Sequence, residues 1–530
     1  MSRTLLILLL LFKPVAGWAQ PPTPPTRVMV LVFDQMRAEY IDRFELPNFR
    51  RAQALGLTFD NGFVGHLEAN TIISHPVITT GKLPRHMPWS AQIMRDVQGW
   101  LGTRGEFYVP ADLSSDQWLR LHRITSGDSS LLARVAEVNP GPTFAVAQKA
   151  YAAYTFGGPY ADTIIALGPA LAEGEYRGYH SIAGENIPSY IALPVGNRFY
   201  LEATNRWGSE SEGYGMKGSG YVTGTDPNRP GGDAWVGDVV EQIMAREPNW
   251  AVINASFGSI DKVGHVLAEH DGPSEAAWAK RHGIGLEDTL RKADKELGRI
   301  LDRLKRSGLL SETAIVITAD HGGQHSRHFH GRRVPGRHEH DGNFGKGHGF
   351  DYTTDVNPNL KPLVDSGGLL VATLDTMASF WTVPMASPRR ERFVPLLNQL
   401  PGVCEVYEKQ SAGDYRRLYR HPELRGRELA WADTHHHQLV NSMGGEAGPD
   451  YVALFFDNHG YSIEGGHGGA QELGQRIPMI VISPNLVRAG AHSKAWVRLV
   501  DVNPMIARLM GLRAHAGLDG TDKAIAPFLP

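Results

Sequence analysis

The chain has 530 residues, more than one uninterrupted hydrophobic core usually organises, so a single large domain with insertions or two domains is expected. With 42% hydrophobic and 21% charged residues it has the make-up of a soluble globular enzyme. A formal net charge of -3 excludes a general attraction to nucleic acid duplexes or acidic membranes, and the sole cysteine, Cys404, excludes a disulfide framework.

In chain order, Arg3 precedes an apolar run from Leu5 to Phe12, and Gly17-Trp18-Ala19 offers small residues at a cleavage point. The spacing predicts a secretory signal over 1–19 and an exported protein, periplasmic or secreted. The run is shorter than the about 20 apolar residues a stable membrane span needs. A Pro-rich spacer follows over 20–26, and the folded body is expected over 27–530. Strand-length apolar runs lie at Val28 to Phe33, Phe144 to Gln148, Trp250 to Ala255, Ala314 to Thr318, Tyr451 to Phe456 and Pro478 to Ser483. Leu286, Leu290, Ala293, Leu297, Ile300, Leu301 and Leu304 recur at helical spacing. Strands alternating with helices predict an α/β fold, a mostly parallel sheet flanked by helices. The stretches at about 157–232 and 323–450 break that alternation and read as loop-rich insertions.

Residues able to hold metal stand just beyond these strands. Asp34 follows the first, Asp320-His321-Gly322 follows the fourth, and Asp261-x-x-x-His265 follows the third by a short loop. The i, i+4 spacing of Asp261 and His265 puts both on one helical face. His467 sits among Gly465, Gly466, Gly468 and Gly469, small neighbours that allow close approach to an ion. Carboxylate oxygens and imidazole nitrogens together suit zinc, and open α/β sheets gather ligands at the edge where these residues fall. Thr71 opens the segment Thr71-Ile72-Ile73-Ser74-His75-Pro76, where it can cap a helix.

This set, with the opening Val-Phe-Asp34-Gln-Met-Arg, resembles the alkaline phosphatase superfamily and within it the nucleotide pyrophosphatase/phosphodiesterase branch. It is also similar to phosphate-irrepressible bacterial alkaline phosphatases. The resemblance implies that fold, and the two insertions read as covering the metal edge. It implies two zinc ions, one among Asp34, Thr71, Asp320 and His321, the other among Asp261, His265 and His467. It makes Thr71 the nucleophile of a phosphothreonine intermediate. Thr71 precedes Thr80-Gly81 by nine residues, the interval that separates the modified residue of related sulfatases from their Thr-Gly pair.

The resemblance implies a small phosphate ester or nucleotide as substrate. Related monoesterases grip the terminal phosphate oxygens with an asparagine and a Lys-x-Arg pair; here the matching places hold Gln92, Lys149 and Tyr151. Loss of a bidentate guanidinium weakens recognition of a dianionic monoester, so diesters or nucleotide pyrophosphate bonds are the expected substrates. The alternatives are a phosphomonoesterase and a metal-bound, non-catalytic binder of phosphorylated ligands. His325, His328, His330, His338, His340 and His348 read as a polar loop, with a further metal site or phosphate-steering lid as the alternative. His435-His436-His437 reads the same way.

Overall fold

The computed structural model describes residues 23–110, 113–166, 170–172, 175–176, 188–191, 232–267, 286–324, 328–329, 344–345, 358–461 and 466–530. The expected signal, most of 157–232, and His325, His330, His338, His340 and His348 lie outside them. No helix among the described residues is long and apolar enough to cross a membrane.

The central sheet is built from β1 (Arg27–Phe33), β2 (Leu57–Phe63), β3 (Thr143–Ala147), β4 (Thr163–Ala166), β5 (Val252–Phe257), β6 (Thr313–Thr318), β7 (Met479–Ile482) and β8 (Ala491–Arg498). Its order is β8-β2-β7-β6-β1-β5-β3-β4. Only β7 runs against its neighbours β6 and β2; the other pairings are parallel. Val28 to Phe33 are wholly buried, as are Ala314 to Ile317, because helices cover both faces of the sheet. A strand with two buried faces has no reason to alternate, which is why these runs are continuously apolar.

Four helices matter to the site: α1 (Thr71–Thr80), α2 (Ala150–Gly157), α3 (Ser259–Leu267) and α4 (Leu286–Arg306). The seven apolar positions read from the sequence of α4 are all buried, and each large one contributes about 2 kcal/mol. Glu287 and Asp288 in the first turn and Arg303, Lys305 and Arg306 in the last complement the helix dipole, and Gly308 in the left-handed region follows its end. Asp294 on α4 accepts from the backbone N–H groups of Asn48 and Phe49, pinning the start of the helix Pro47–Leu55.

Residues 358–461 are more regular than the sequence suggested. With the short strand Phe344–Gly345 they form an antiparallel sheet ordered Phe344–Gly345, Leu369–Leu374, Met377–Thr382, Tyr451–Phe455, Val403–Lys409, Tyr415–Arg420. The expected strand near Tyr451 therefore forms, in this second sheet rather than the central one. Two hydrophobic clusters flank it. The histidine triplet corrects the loop reading, since it lies on the helix Gly426–Asn441. His436 Nδ1 hydrogen-bonds to the buried Glu405 at 2.8 Å, and His437 meets the Tyr415 carbonyl at 3.1 Å. The sequence missed this because partners 22 to 31 residues away satisfy the polar groups.

Candidate metal centre and nucleophile

Three neighbouring parallel strands, in the order β6-β1-β5, point their C-terminal ends at one edge. That edge receives Asp320 from beyond β6, Asp34 from the end of β1, and Asp261 from the first turn of α3, which follows β5. Asp34 is anchored by its backbone N–H to the Phe257 carbonyl at 2.9 Å. The next residue, Gln35, turns into the left-handed region at φ 63 and donates its N–H to Asp320 Oδ1 at 3.2 Å. A non-glycine residue pays about 1 kcal/mol for that conformation, here offset by a hydrogen bond that ties the residue after Asp34 to Asp320.

Asp34 Oδ1, Asp320 Oδ2 and His321 Nε2 converge. The imidazole nitrogen is 3.3 Å from the first oxygen and 3.4 Å from the second. All three atoms are buried and none has a hydrogen-bond partner among the described residues. His321 Nδ1–H donates to the Gly322 carbonyl at 2.9 Å, which leaves the Nε2 lone pair facing the carboxylates. A second group joins Asp261, His467 and the same His321, whose ring stacks on that of His467 at 3.8 Å. His467 Nδ1–H donates to the Ala69 carbonyl at 3.1 Å, so its Nε2 faces Asp261 Oδ1 at 3.5 Å. The structure thus brings together Asp34, Asp261, Asp320, His321 and His467, and sets His321 against both groups. His265 stands on α3 one turn after Asp261; its side chain lies outside the described ones.

The electrostatics call for cations. Three carboxylates share a buried pocket with one lysine. Burial, then the Asp261 and Asp320 carboxylates, push Asp34 up to about 7. Burial likewise raises Asp320 to about 6 and lowers His321, whose fall Asp34 and Asp261 oppose. Burial alone would lower the Lys149 ammonium, but Asp261 and Asp34 hold it well above its ordinary value. Orphaned oxygens and an orphaned imidazole nitrogen around an excess of negative charge fit divalent cations.

Thr71 adjoins Asp34 of the first group. It is the first residue of α1, and the cap is Asn70, whose side chain accepts from Ile73 N–H at 3.2 Å. The capping reading of Thr71 is therefore corrected, and its hydroxyl serves elsewhere: Thr71 Oγ1 donates to Asp34 Oδ2 at 3.3 Å. Lys149, just before α2, donates to Asp34 Oδ2 at 2.6 Å, to Asp261 Oδ2 at 2.7 Å and to Thr71 Oγ1 at 3.2 Å. Gln92 donates its backbone N–H to Glu68 Oε1 at 3.2 Å, three residues before Thr71. Tyr151 is half-buried against the main core, near enough to Lys149 to act on its charge.

Three supports were not read from the sequence. His75 lies one helical turn beyond Thr71; its Nδ1–H donates to the Thr71 carbonyl and its Nε2 shares a hydrogen bond with Ser256, each at 2.9 Å. The i, i+4 spacing was the available signal. Glu68, pushed up to about 7 by burial, also accepts from the Asn70 side chain. Gln35 carried no signal, since nothing local marks a left-handed glutamine.

The model of the type I phosphodiesterase / nucleotide pyrophosphatase family matches residues 28–337. The chain belongs to this family. Membership makes it a phosphoester hydrolase, and the matched span holds every site residue named above except His467. No curated protein matches the sequence. Among solved structures, wild-type alkaline phosphatase PafA is similar at 15% identity, covering 96% of this chain and 99% of its own, with a TM-score of 0.63. Murine ectonucleotide pyrophosphatase / phosphodiesterase 5, an inactive variant in complex with AMP, is similar at 14% identity over 95% of this chain and 100% of its own, with a TM-score of 0.53. At these identities the likeness shows the fold, the α/β sheet with flanking helices expected from the sequence.

Proposed function

We propose that this family member cleaves phosphodiester or nucleotide pyrophosphate bonds through a covalent intermediate on Thr71. The observation that carries the reading is the position of the Thr71 hydroxyl, held between Asp34 of the first group of metal-ligand type and Lys149, which also reaches Asp261 of the second. Asp34 accepts the hydroxyl proton while the Lys149 ammonium faces the hydroxyl oxygen, and both favour the alkoxide. Thr71 begins a ten-residue helix, whose dipole favours a phosphate placed before it. Attack forms an O–P bond to Thr71 and expels the alcohol or nucleotide; water then cleaves the phosphothreonine. His75 holds the Thr71 carbonyl and so fixes the first turn of α1.

Asp34, Asp320 and His321 would hold one divalent cation and Asp261, His467 and His265 the other, with Thr71 Oγ1 at the first. Mixed oxygen and nitrogen donors support zinc for both. Bound, the ions supply Lewis-acid stabilisation of the attacking and departing oxygens.

A second reading, a phosphomonoesterase, rests on Lys149. Its ammonium reaches the Thr71 hydroxyl, so a cation stands where a dianionic phosphate would need one. Comparing kcat/KM for bis-p-nitrophenyl phosphate and p-nitrophenyl phosphate on zinc-loaded protein separates the readings. Preference for the diester supports the first and preference for the monoester the second. Near-normal turnover in Thr71→Ala would overturn the covalent route in either case.

A further inference from the structure

Beyond the metal centre, the second sheet borders an open cavity of about 280 Å³. Its lining includes Arg95, Arg390, Glu408, Lys409, Asp450 and Tyr451, none of them a residue of the catalytic site. Three cations face two carboxylates. Both carboxylates are already engaged. Glu408 accepts from Arg390 Nε and NH2 at 2.6 Å each, from Arg416 at 3.2 Å and from the Tyr451 hydroxyl at 3.1 Å. Asp450 Oδ2 accepts the Thr382 N–H at 2.8 Å and its hydroxyl at 3.2 Å.

Arg95 is left over. It sits on the short strand Met94–Arg95, its guanidinium over the Phe107 ring at 5.8 Å from the centroid. Its Nε is buried and meets no acceptor among the described residues, and the group forms no ion pair among them. An Nε–H held out of water without an acceptor loses about 1–3 kcal/mol, which an anion reaching it from the cavity would restore. Lys409 adds a second charge. It donates to the Gly448 carbonyl and lies 3.9 Å from Asp450 Oδ1. Burial lowers its ammonium, Asp450 raises it, and Arg95 lowers it again, so the two cations feel each other.

We propose that this cavity binds a phosphate oxyanion, apart from the catalytic centre, with Arg95 and Lys409 as its cationic walls. A fork of donors beside a point charge suits a multiply charged tetrahedral anion better than a single carboxylate.

The test is calorimetric titration of inorganic phosphate into the metal-loaded full chain, with Arg95→Gln and Lys409→Gln alongside. Wild type should show two binding events. In each variant one of them should weaken about tenfold or more while hydrolysis of p-nitrophenyl esters stays unchanged. If Arg95→Gln fails to fold, Lys409→Gln decides. The same single event in wild type and variants overturns the proposal. So does a second event that neither substitution moves. Repeating the titration with AMP distinguishes the source: second-site binding of AMP assigns an esterified phosphate, and binding of inorganic phosphate alone assigns the free ion.

Discussion

Lys149→Met tests the electrostatic logic of the centre. The substitution keeps most of the side-chain volume but removes the ammonium that lies 2.6 Å from Asp34 and 2.7 Å from Asp261. Coulomb's law at 2.7 Å and an effective dielectric of about 20 gives roughly 6 kcal/mol for one such pair. Desolvation of the lysine offsets part of that, so breaking the buried pairs should cost about 3–5 kcal/mol in metal-free protein. Divalent cations would take over the neutralising role, and the cost should fall by about 2 kcal/mol or more when zinc is saturating. By reciprocity, the variant should then bind zinc more than about tenfold tighter than wild type. Urea unfolding of both proteins, in chelator and in excess zinc, closes the cycle. An equal destabilisation in the two conditions would show that lysine and metal do not share these carboxylates, and would refute the argument.

Other outcomes follow from single residues. Asp320→Ala should lose both metal binding and turnover, whereas Thr71→Ala should lose turnover and keep the metal, with metal content read by mass spectrometry. Asn70→Ala removes the cap of α1 and should cost about 1 kcal/mol in urea unfolding; an unchanged midpoint would deny the cap a role. Burial holds His122 neutral, with its pKa lowered to about 4 against about 6.5 in the unfolded chain. Between those values the unfolded chain carries the extra proton, so stability falls as pH drops through that window, at up to about 1.4 kcal/mol per unit. From pH 7 to 5 this one group should account for about 2 kcal/mol of loss, and His122→Asn should lose correspondingly less over the same range. Identical losses in the two proteins would count against it.

The sequence by itself carried whatever depends on local pattern. Continuous apolar runs marked β1 and β6 because strands buried on both faces need no alternation, and an aspartate at their ends stood out against that background. The 3.6-residue recurrence from Leu286 to Leu304 marked α4 for the same kind of reason, one face buried and one in water. The second sheet was less legible because its strands bury charge: Glu405 is fully enclosed and satisfied by Tyr407, Arg420 and His436, so Val403–Lys409 does not read as a core strand. The convergence of Asp34, Asp261 and Asp320, the placing of His321 between two groups, and the reach of Lys149 to Thr71 across 78 residues were decided by the tertiary structure. Parallel strands fix which chain segments end together, and that is a property of sheet order, which no local pattern of residues encodes.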